Sequence, residues 1–321
     1  MKEDLKPIGG YFELELFGIK NFPHINGIFV NTGRNALELI LNSISKLQTI
    51  YIPYYTCDVV LEPLNKLNIN YSFYQINESL ELIENIELKK DEYLLYTNYF
   101  GIKDDYIKKL DEKYGSNLIV DNAQALYAKP TTKCLYSPRK FVGIPDSGIA
   151  YTDSYVDINS YAIDYSSDRF EHLLIRHDKG ATAGYTAFKE NSAKLKEHDI
   201  KQTSVLTKQL ISSIDFEAIQ QKRIANFKYL HSYLKDSNRL NIDSFGDFAC
   251  PMVYPYYTDD NTLKSKLIEN KIFVATYWPN VFQWCNIEDI EYKLANNVIA
   301  IPIDQRYGNE DMDRIIKIIE K

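Results

Sequence analysis

Two residue types that can do chemistry follow neighbouring segments of this sequence. Asp121 closes the apolar run Leu118–Val120, and Lys140 ends the turn-like segment Ser137–Lys140. In open α/β sheets, ligand sites gather at the carboxyl ends of strands. Taken alone, an aspartate at a strand end is most often a cap or turn residue, and a surface lysine is usually solvated. Together, however, an amine and a carboxylate can hold the two ends of a cofactor such as pyridoxal phosphate (PLP), through a Schiff base and the pyridinium nitrogen.

The segments that must position these residues alternate between apolar runs and amphipathic stretches. Short runs rich in Ile, Leu, Val and Tyr predict strands at residues 28–30, 49–53, 71–74, 93–97, 118–120 and 148–155. Helical spacing of apolar residues follows several of them, at 36–44, 56–67 and 103–114. Strand and helix in regular succession predict a mostly parallel sheet with helices on both faces.

The pattern changes after residue 185. Long, charged, amphipathic stretches predict helices at residues 187–198 and 204–234. A second unit then reads strand, helix, strand, strand, helix, at residues 249–256, 261–270, 272–276, 299–303 and 310–319. We therefore predict an α/β protein with a large domain over residues 1–235, including an N-terminal arm with a short strand near residues 12–16, and a smaller C-terminal α/β domain over residues 236–321.

Composition excludes several classes of function. The 321 residues carry a net charge of −7, which argues against nucleic acid as the main partner. The four cysteines form no CxxC pair and the five histidines show no metal-ligand spacing, so we expect neither structural zinc nor disulfides. We also expect no signal peptide and no membrane span, which predicts a cytoplasmic protein.

Five motifs in order make the sequence similar to a known family. Residues 32–37 (Thr-Gly-Arg-Asn-Ala-Leu) look like a phosphate loop, and residues 52–57 contain a Pro-aromatic-Thr element. Residues 121–125 read Asp-Asn-Ala-Gln-Ala, residues 137–140 read Ser-Pro-Arg-Lys, and residues 301–304 read Ile-Pro-Ile-Asp. This series resembles the DegT/DnrJ/EryC1/StrS family of PLP-dependent sugar aminotransferases over nearly the whole chain. The resemblance implies the aspartate-aminotransferase fold, also called PLP-transferase fold type I.

The resemblance assigns the reactive roles to three residues. Lys140 would form the Schiff base with PLP and later shuttle a proton, which requires its amine to be unprotonated part of the time. Asp121 would stay ionised against the pyridinium nitrogen, and Gln124 would bond the phenolic oxygen of the ring.

The resemblance assigns the cofactor phosphate to the start of a helix. Backbone amides of Gly33, Arg34 and Asn35 would hold the phosphate, and the guanidinium of Arg34 could add charge. The family commonly has a phosphate-binding Ser or Thr where this chain has Leu135, so Ser137 is the candidate substitute.

The sequence departs from the family in three further places. Lys140 lies only 19 positions after Asp121, a shorter spacing than the family usually shows, which should reshape the substrate side of the site. Cys57 aligns with the aromatic residue that stacks on the PLP ring, which leaves three candidates for that contact: Tyr54, Tyr55 and Tyr99. The family segment that reaches the phosphate of a partner subunit is not evident in the corresponding region, residues 180–185 and 202–204.

The leading hypothesis is therefore amino transfer from a donor such as glutamate to a keto group on a nucleotide-linked sugar, for surface glycan biosynthesis, by a homodimer. Two alternatives stay open: another PLP reaction on a non-sugar carbonyl substrate, and a degenerate homologue that binds a ligand or partner without turnover. Four residues of the C-terminal lobe are weaker candidates for bordering the substrate: Tyr277, Trp278, Arg306 and Tyr307.

Overall fold

The computed structural model describes residues 14, 16, 18 and 21–320. The predicted N-terminal arm, with its strand near residues 12–16, lies for the most part outside the described residues.

A seven-stranded sheet forms the centre of the protein. Its strands are β1 (Ile28–Val30), β2 (Thr49–Pro53), β3 (Asn70–Tyr74), β4 (Glu92–Thr97), β5 (Leu118–Asn122), β6 (Cys134–Tyr136) and β7 (Gly148–Tyr151). They lie in the order β1-β7-β6-β5-β4-β2-β3. The block from β6 to β3 is parallel, whereas β7 is antiparallel to both of its neighbours. The predicted mostly parallel sheet is confirmed, although the three-residue strand β6 was not predicted.

Helices cover the two faces of this sheet and create two apolar cores. The first three are α1 (Gly33–Ser43), α2 (Leu61–Lys66) and α3 (Asp104–Tyr114). Helix α1 buries five apolar residues, from Ala36 to Leu41, against one face of the sheet. All five residues of β5 are buried, as expected for a central parallel strand that has helices on both sides. The carboxyl end of β5, which carries Asp121, is therefore held between packed helices and strands.

The segment after the sheet is mostly helical between residues 171 and 234. Helices α4 (Glu171–Lys179) and α5 (Ala181–Lys194) form a hairpin, followed by α6 (Val205–Ser212) and α7 (Phe216–Leu234). Gly180 turns the hairpin with a φ of 86°, a conformation that favours glycine. The single predicted helix at 204–234 is wrong because Asp215 starts a new helix, accepting a hydrogen bond from the Ala218 N–H at 3.0 Å.

A two-stranded unit completes the described chain. It contains β8 (Val253–Tyr257), α8 (Leu263–Glu269), α9 (Val281–Trp284), α10 (Ile290–Asn297), β9 (Val298–Pro302) and α11 (Asn309–Ile319), and β8 pairs with β9 antiparallel. The predicted strand at residues 272–276 is wrong, since this segment makes only an isolated bridge between Ala275 and Ala300. A domain boundary at residue 235 remains a prediction.

Candidate active site

Asp121 lies at the carboxyl edge of the parallel strands, where β5 pairs with Thr97 of β4 and Leu135 of β6. Its Oδ1 accepts a hydrogen bond from the Ala123 N–H at 2.8 Å. Burial raises the pKa of the Asp121 carboxyl, and this effect is only partly offset by the Lys140 amine and by the Ala123 amide. Among the described residues, Asp121 makes no ion pair within 4.0 Å.

Lys140 follows β6 through a short turn of 3₁₀ helix, Pro138–Lys140. Ser137 begins this turn, and its carbonyl accepts a hydrogen bond from the Lys140 N–H at 3.1 Å. The Lys140 side chain is exposed and lines a cavity of about 620 Å³. The positive charge of its amine lowers the pKa of both Asp121 and Cys57, against the larger upward effect of burial. Lys140 therefore lies close enough to Asp121 and Cys57 for its charge to act on both, although neither of them lines the cavity that Lys140 lines.

Gln124 presents a hydrogen-bond donor whose partners can be checked among the described residues. The residue is 1% exposed, and its Oε1 accepts from the Phe100 N–H at 2.8 Å. Its Nε2 is buried and has no partner within the described residues. A buried donor without an acceptor costs roughly 1–3 kcal/mol. A ligand oxygen at this point would remove that cost.

The chain next to Gln124 is unusually close-packed. Gly101 has a φ of 73°, and a Cβ added there would lie 2.7 Å from the Gln124 carbonyl oxygen and 2.8 Å from that of Cys250. Only glycine fits this position, so the short turn Tyr99–Gly101 can press against Gln124 and hold its amide in place.

The start of α1 provides free N–H groups next to a hydroxyl. Gly33 and Arg34 are the first residues of the helix, so their N–H groups have no intrahelical acceptor. A Cβ added to Gly33 would lie 3.7 Å from the Ser137 Oγ, which places this hydroxyl against the helix start. Two amides and a hydroxyl at a helix N-terminus suit an anionic oxygen.

The other two predicted phosphate contacts are used elsewhere. The Asn35 N–H donates to the Oγ1 of Thr32, the N-cap residue of α1, at 3.1 Å, so this amide is already used by the cap. The Arg34 guanidinium lies 3.1 Å from the Glu62 carboxylate and also donates to the Leu195 carbonyl. Arg34 therefore joins α1 to α2 and to the end of α5. Its charge is paired with Glu62 instead of being directed at a phosphate.

The three aromatic residues expected near the cofactor ring have other packing partners. Tyr55 and Tyr99 are fully buried and stack on each other at 5.4 Å, and the edge of Trp278 meets Tyr55 at 5.1 Å. Tyr54 stacks on Phe73 at 4.5 Å.

A different aromatic ring lies beside Cys57. Burial raises the pKa of the Tyr277 hydroxyl to about 12, and the neighbouring Cys57 thiol adds to this increase. Its ring also meets the Phe100 ring edge to face at 6.1 Å, next to the hydrogen bond from the Phe100 N–H to Gln124. The sequence made Tyr277 only a weak candidate.

Sequence reasoning missed Arg223, a buried cation behind Lys140. Its guanidinium donates to the carbonyls of Phe141 at 3.1 Å and Met252 at 2.9 Å, and it covers the Phe141 ring at 4.7 Å. Its Nε donates to the Gln305 Oε1 at 3.2 Å. The sequence carries no local signal for this role, since its partners lie far along the chain from an ordinary position in α7.

Many solved structures share this fold. DesV of S. venezuelae, solved in complex with a ketimine intermediate, is 16% identical with a TM-score of 0.61, covering 91% of this chain and 83% of DesV. A DegT DnrJ EryC1 StrS aminotransferase from Brucella abortus is 14% identical with a TM-score of 0.58, covering 92% and 85%. The chain has the fold of these aminotransferases.

A third structure with this aminotransferase fold is Helicobacter pylori PseC, an aminotransferase involved in the biosynthesis of pseudoaminic acid. It is 11% identical with a TM-score of 0.62, covering 92% of this chain and 85% of PseC. Comparisons with protein-family models and with curated proteins find no match. The expected PLP-transferase fold type I is thus confirmed by structure at low sequence identity.

Two further findings bear on the expected partners. Among residues 21–320, no group of three or more His, Cys, Asp or Glu side chains is arranged to hold a metal ion. No helix in the same range is long and apolar enough to cross a membrane.

Proposed function

We propose that this protein is a PLP-dependent aminotransferase that moves an amino group from a donor such as glutamate to a keto group of a nucleotide-linked sugar. The proposal is supported by the position of Asp121 at the carboxyl edge of a sheet of this fold, within the influence of the Lys140 charge, and by the nearby Gln124 amide, which has no partner among the described residues. We further propose a cytoplasmic homodimer that serves surface glycan biosynthesis, since the sugar substrate class suggests that role.

The residues of the site fit PLP at three points. When bound, PLP supplies an electron sink for the carbon next to the transferred nitrogen. Asp121, whose pKa burial raises, would be stabilised as an anion by a cationic ring N–H placed against it. The free Gln124 Nε2 would donate to an oxygen on the ring, and the Lys140 amine would hold the aldehyde and move the proton at the reacting carbon.

The phosphate group of PLP would have fewer contacts than the sequence predicts. The amides of Gly33 and Arg34 and the Ser137 hydroxyl would bind it, whereas the Arg34 side chain is paired with Glu62. Cys57 would occupy the space of the stacking aromatic residue, and the largely buried Tyr277 near it would help to exclude water.

One observation favours the second candidate, a homologue that binds a ligand without turnover. The guanidinium of Arg34 and the amide of Asn35, which could have neutralised a phosphate, are both engaged within the protein. A weakened phosphate site would lower cofactor affinity, and the two candidates therefore differ first in whether PLP is held at all.

The test is a half-reaction with the purified protein. PLP is added, then glutamate, and 2-oxoglutarate is quantified while the visible spectrum is followed. We expect one equivalent of 2-oxoglutarate per PLP site in wild type, none in Lys140→Ala, and a normal yield in the exposed control Lys179→Ala. Adding a nucleotide-linked ketosugar should then give the amino sugar, detected by mass. PLP uptake without 2-oxoglutarate would refute amino transfer from glutamate, and no uptake at all would support the non-catalytic candidate.

A further inference from the structure

A buried network of charged and hydroxyl side chains lies next to the start of α1. Asp146 is 1% exposed, and its Oδ2 accepts hydrogen bonds from the Arg169 guanidinium at 2.9 Å and from the Ser166 hydroxyl. Its Oδ1 accepts from the Thr207 hydroxyl at 2.7 Å. Arg169 also donates to the Asp164 carboxylate at 2.8 Å. We call these five residues the buried network.

The charges of the buried network balance, but their energy alone does not account for it. Asp164 and Arg169 are 4% and 6% exposed, and the Lys201 ammonium lies 3.6 Å from the Asp164 carboxylate. Apolar side chains of similar volume often stabilise a protein as well as a buried ion pair does. A role for the network follows instead from the backbone that it holds.

Ser147, directly after Asp146, has a backbone conformation that favours glycine. Its φ is 94°, and another residue keeps such a conformation only where its surroundings impose it. The Ser147 N–H donates to the Asn31 carbonyl at 2.8 Å, and the Ser147 hydroxyl lies 3.2 Å from that of Thr203. Because three side chains fix Asp146, the buried network imposes this turn.

The turn supports the backbone that leads from β1 into α1. A Cβ added to Gly148 would lie 2.1 Å from the Thr32 carbonyl oxygen and 2.7 Å from the Gly33 nitrogen. The turn and the start of α1 are therefore in direct backbone contact, and a shift of one must move the other.

The segment before α6 holds the same backbone through a second set of contacts. The Asn31 N–H donates to the Lys201 carbonyl at 3.0 Å, and the Lys201 N–H donates to the Asn31 Oδ1 at 3.2 Å. Ser204, three residues later, caps α6, and its hydroxyl accepts a hydrogen bond from the Ser166 hydroxyl at 2.6 Å. The buried network thus contacts both segments that support the start of α1.

We propose that Asp146 is a positioning residue for the phosphate group of PLP, because it fixes the turn that sets the direction of the Gly33 and Arg34 amides. Asp146 would act only through this backbone, without contact to the phosphate. The direction of the amides matters because a hydrogen bond weakens steeply as its angle departs from linear. It matters more in this chain because the Arg34 side chain is paired with Glu62, which leaves the amides and the Ser137 hydroxyl to bind the phosphate. The choice of ligand rests on the proposed function, whereas the support of the α1 start by Asp146 does not.

The experiment compares PLP with pyridoxal, which has the same ring and aldehyde but no phosphate. Both are titrated into the full chain and followed by the visible spectrum, and the readout is the ratio of the two affinities. Asp146→Asn keeps the side-chain volume and should lower this ratio about 10-fold or more, equivalent to one charged hydrogen bond to the phosphate. Thr207→Val removes one hydrogen bond to Asp146 without changing any charge and should lower the ratio about 3-fold.

The matched control is Glu291→Gln, another replacement of a buried acid by its amide. Glu291 is fully buried and accepts a hydrogen bond from the Ile76 N–H at 2.7 Å, next to β3 at the opposite edge of the sheet from β1. This variant should leave the affinity ratio unchanged. A general loss of stability would lower the affinities for PLP and pyridoxal together, whereas a loss of positioning lowers only the affinity for PLP.

A second readout does not depend on PLP. Hydrogen exchange of the PLP-free chain should be faster in residues 31–36 of Asp146→Asn and Thr207→Val and unchanged in α3, because support is lost only at the start of α1.

The proposal is overturned if the affinity ratio is unchanged in both variants, if Glu291→Gln lowers it equally, or if exchange in residues 31–36 matches wild type. If Asp146→Asn does not fold, Thr207→Val decides the question alone. A wild-type chain that takes up no PLP would refute the proposed function instead, and hydrogen exchange would then decide whether Asp146 supports the start of α1.

Discussion

Replacing Asp121 by asparagine should stabilise the PLP-free protein at neutral pH. Burial raises the pKa of this carboxyl above its ordinary value, by more than the Lys140 amine and the Ala123 amide lower it. The charged form therefore costs free energy in the folded state. Asparagine is nearly isosteric, and its Oδ1 can still accept the hydrogen bond from the Ala123 N–H.

The pH dependence has a definite sign. An acid whose pKa is higher in the folded state than in the unfolded state binds more protons when folded, so stability falls as pH rises between the two values. The unfolded value is about 3.9. The advantage of Asp121→Asn should thus be near zero below about pH 4, grow as pH rises through the folded-state pKa, and then stay constant.

The magnitude follows from the balance of burial and attraction. Among the described residues the buried carboxylate accepts one hydrogen bond, and a buried polar group that is short of partners costs roughly 1–3 kcal/mol. We expect a gain of about 1–2 kcal/mol in the free energy of unfolding at pH 7, or a rise in melting temperature of about 2–4 °C. The same variant should bind PLP about 10- to 100-fold more weakly, since the cationic ring N–H loses its anionic partner.

The assay is urea unfolding of the PLP-free protein, monitored by tryptophan fluorescence at several values between about pH 4 and about pH 8. The exposed Asp236→Asn is the matched control and should differ from wild type by less than about 0.5 kcal/mol throughout. If Asp121→Asn were less stable than wild type at pH 7, or if its advantage did not change with pH, burial would not dominate the energy of this carboxylate.

Two other predictions concern the support of the site. Gly148→Ala should lower the free energy of unfolding in urea by about 1–3 kcal/mol, because a Cβ there would lie 2.1 Å from the Thr32 carbonyl oxygen. Gly143 has room for a Cβ, so Gly143→Ala should be nearly neutral. Equal losses in the two variants would contradict this reasoning. Arg223→Met should lower the free energy of unfolding by about 3 kcal/mol, because two buried carbonyls lose a charged donor. The control Arg239→Met, at an exposed ion pair, should lower it by less than about 1 kcal/mol. A loss for Arg223→Met no larger than that for Arg239→Met would remove Arg223 from the support of the site.

The central fold could be predicted because its signals are local. The apolar runs of β2, β4 and β5 and the helices between them follow directly from composition and spacing, and the Asp-x-x-Gln-Ala segment placed Asp121 and Gln124 at the end of β5. The residues that mark the strand ends also carry the candidate chemistry, so fold and site were predicted from the same segments.

The rest depends on contacts between distant segments. Strand β6 has only three residues, and nothing in them shows that they pair with β5 and β7. The side chain of Arg34 could not be assigned, because its partner Glu62 is chosen by the packing of α1 on α2. The hydrogen bonds of Arg223 to Phe141 and Met252 likewise exist only after the helices pack.

The most direct test of the central claim is chemical trapping of PLP on the protein. The protein is incubated with PLP, reduced with borohydride and digested, and the modified peptide is sequenced by mass spectrometry. The account predicts one pyridoxyl group per chain on Lys140 and none on the Lys140→Ala variant, with the exposed Lys179→Ala labelled like wild type. Labelling scattered over surface lysines, or undiminished in Lys140→Ala, would contradict it.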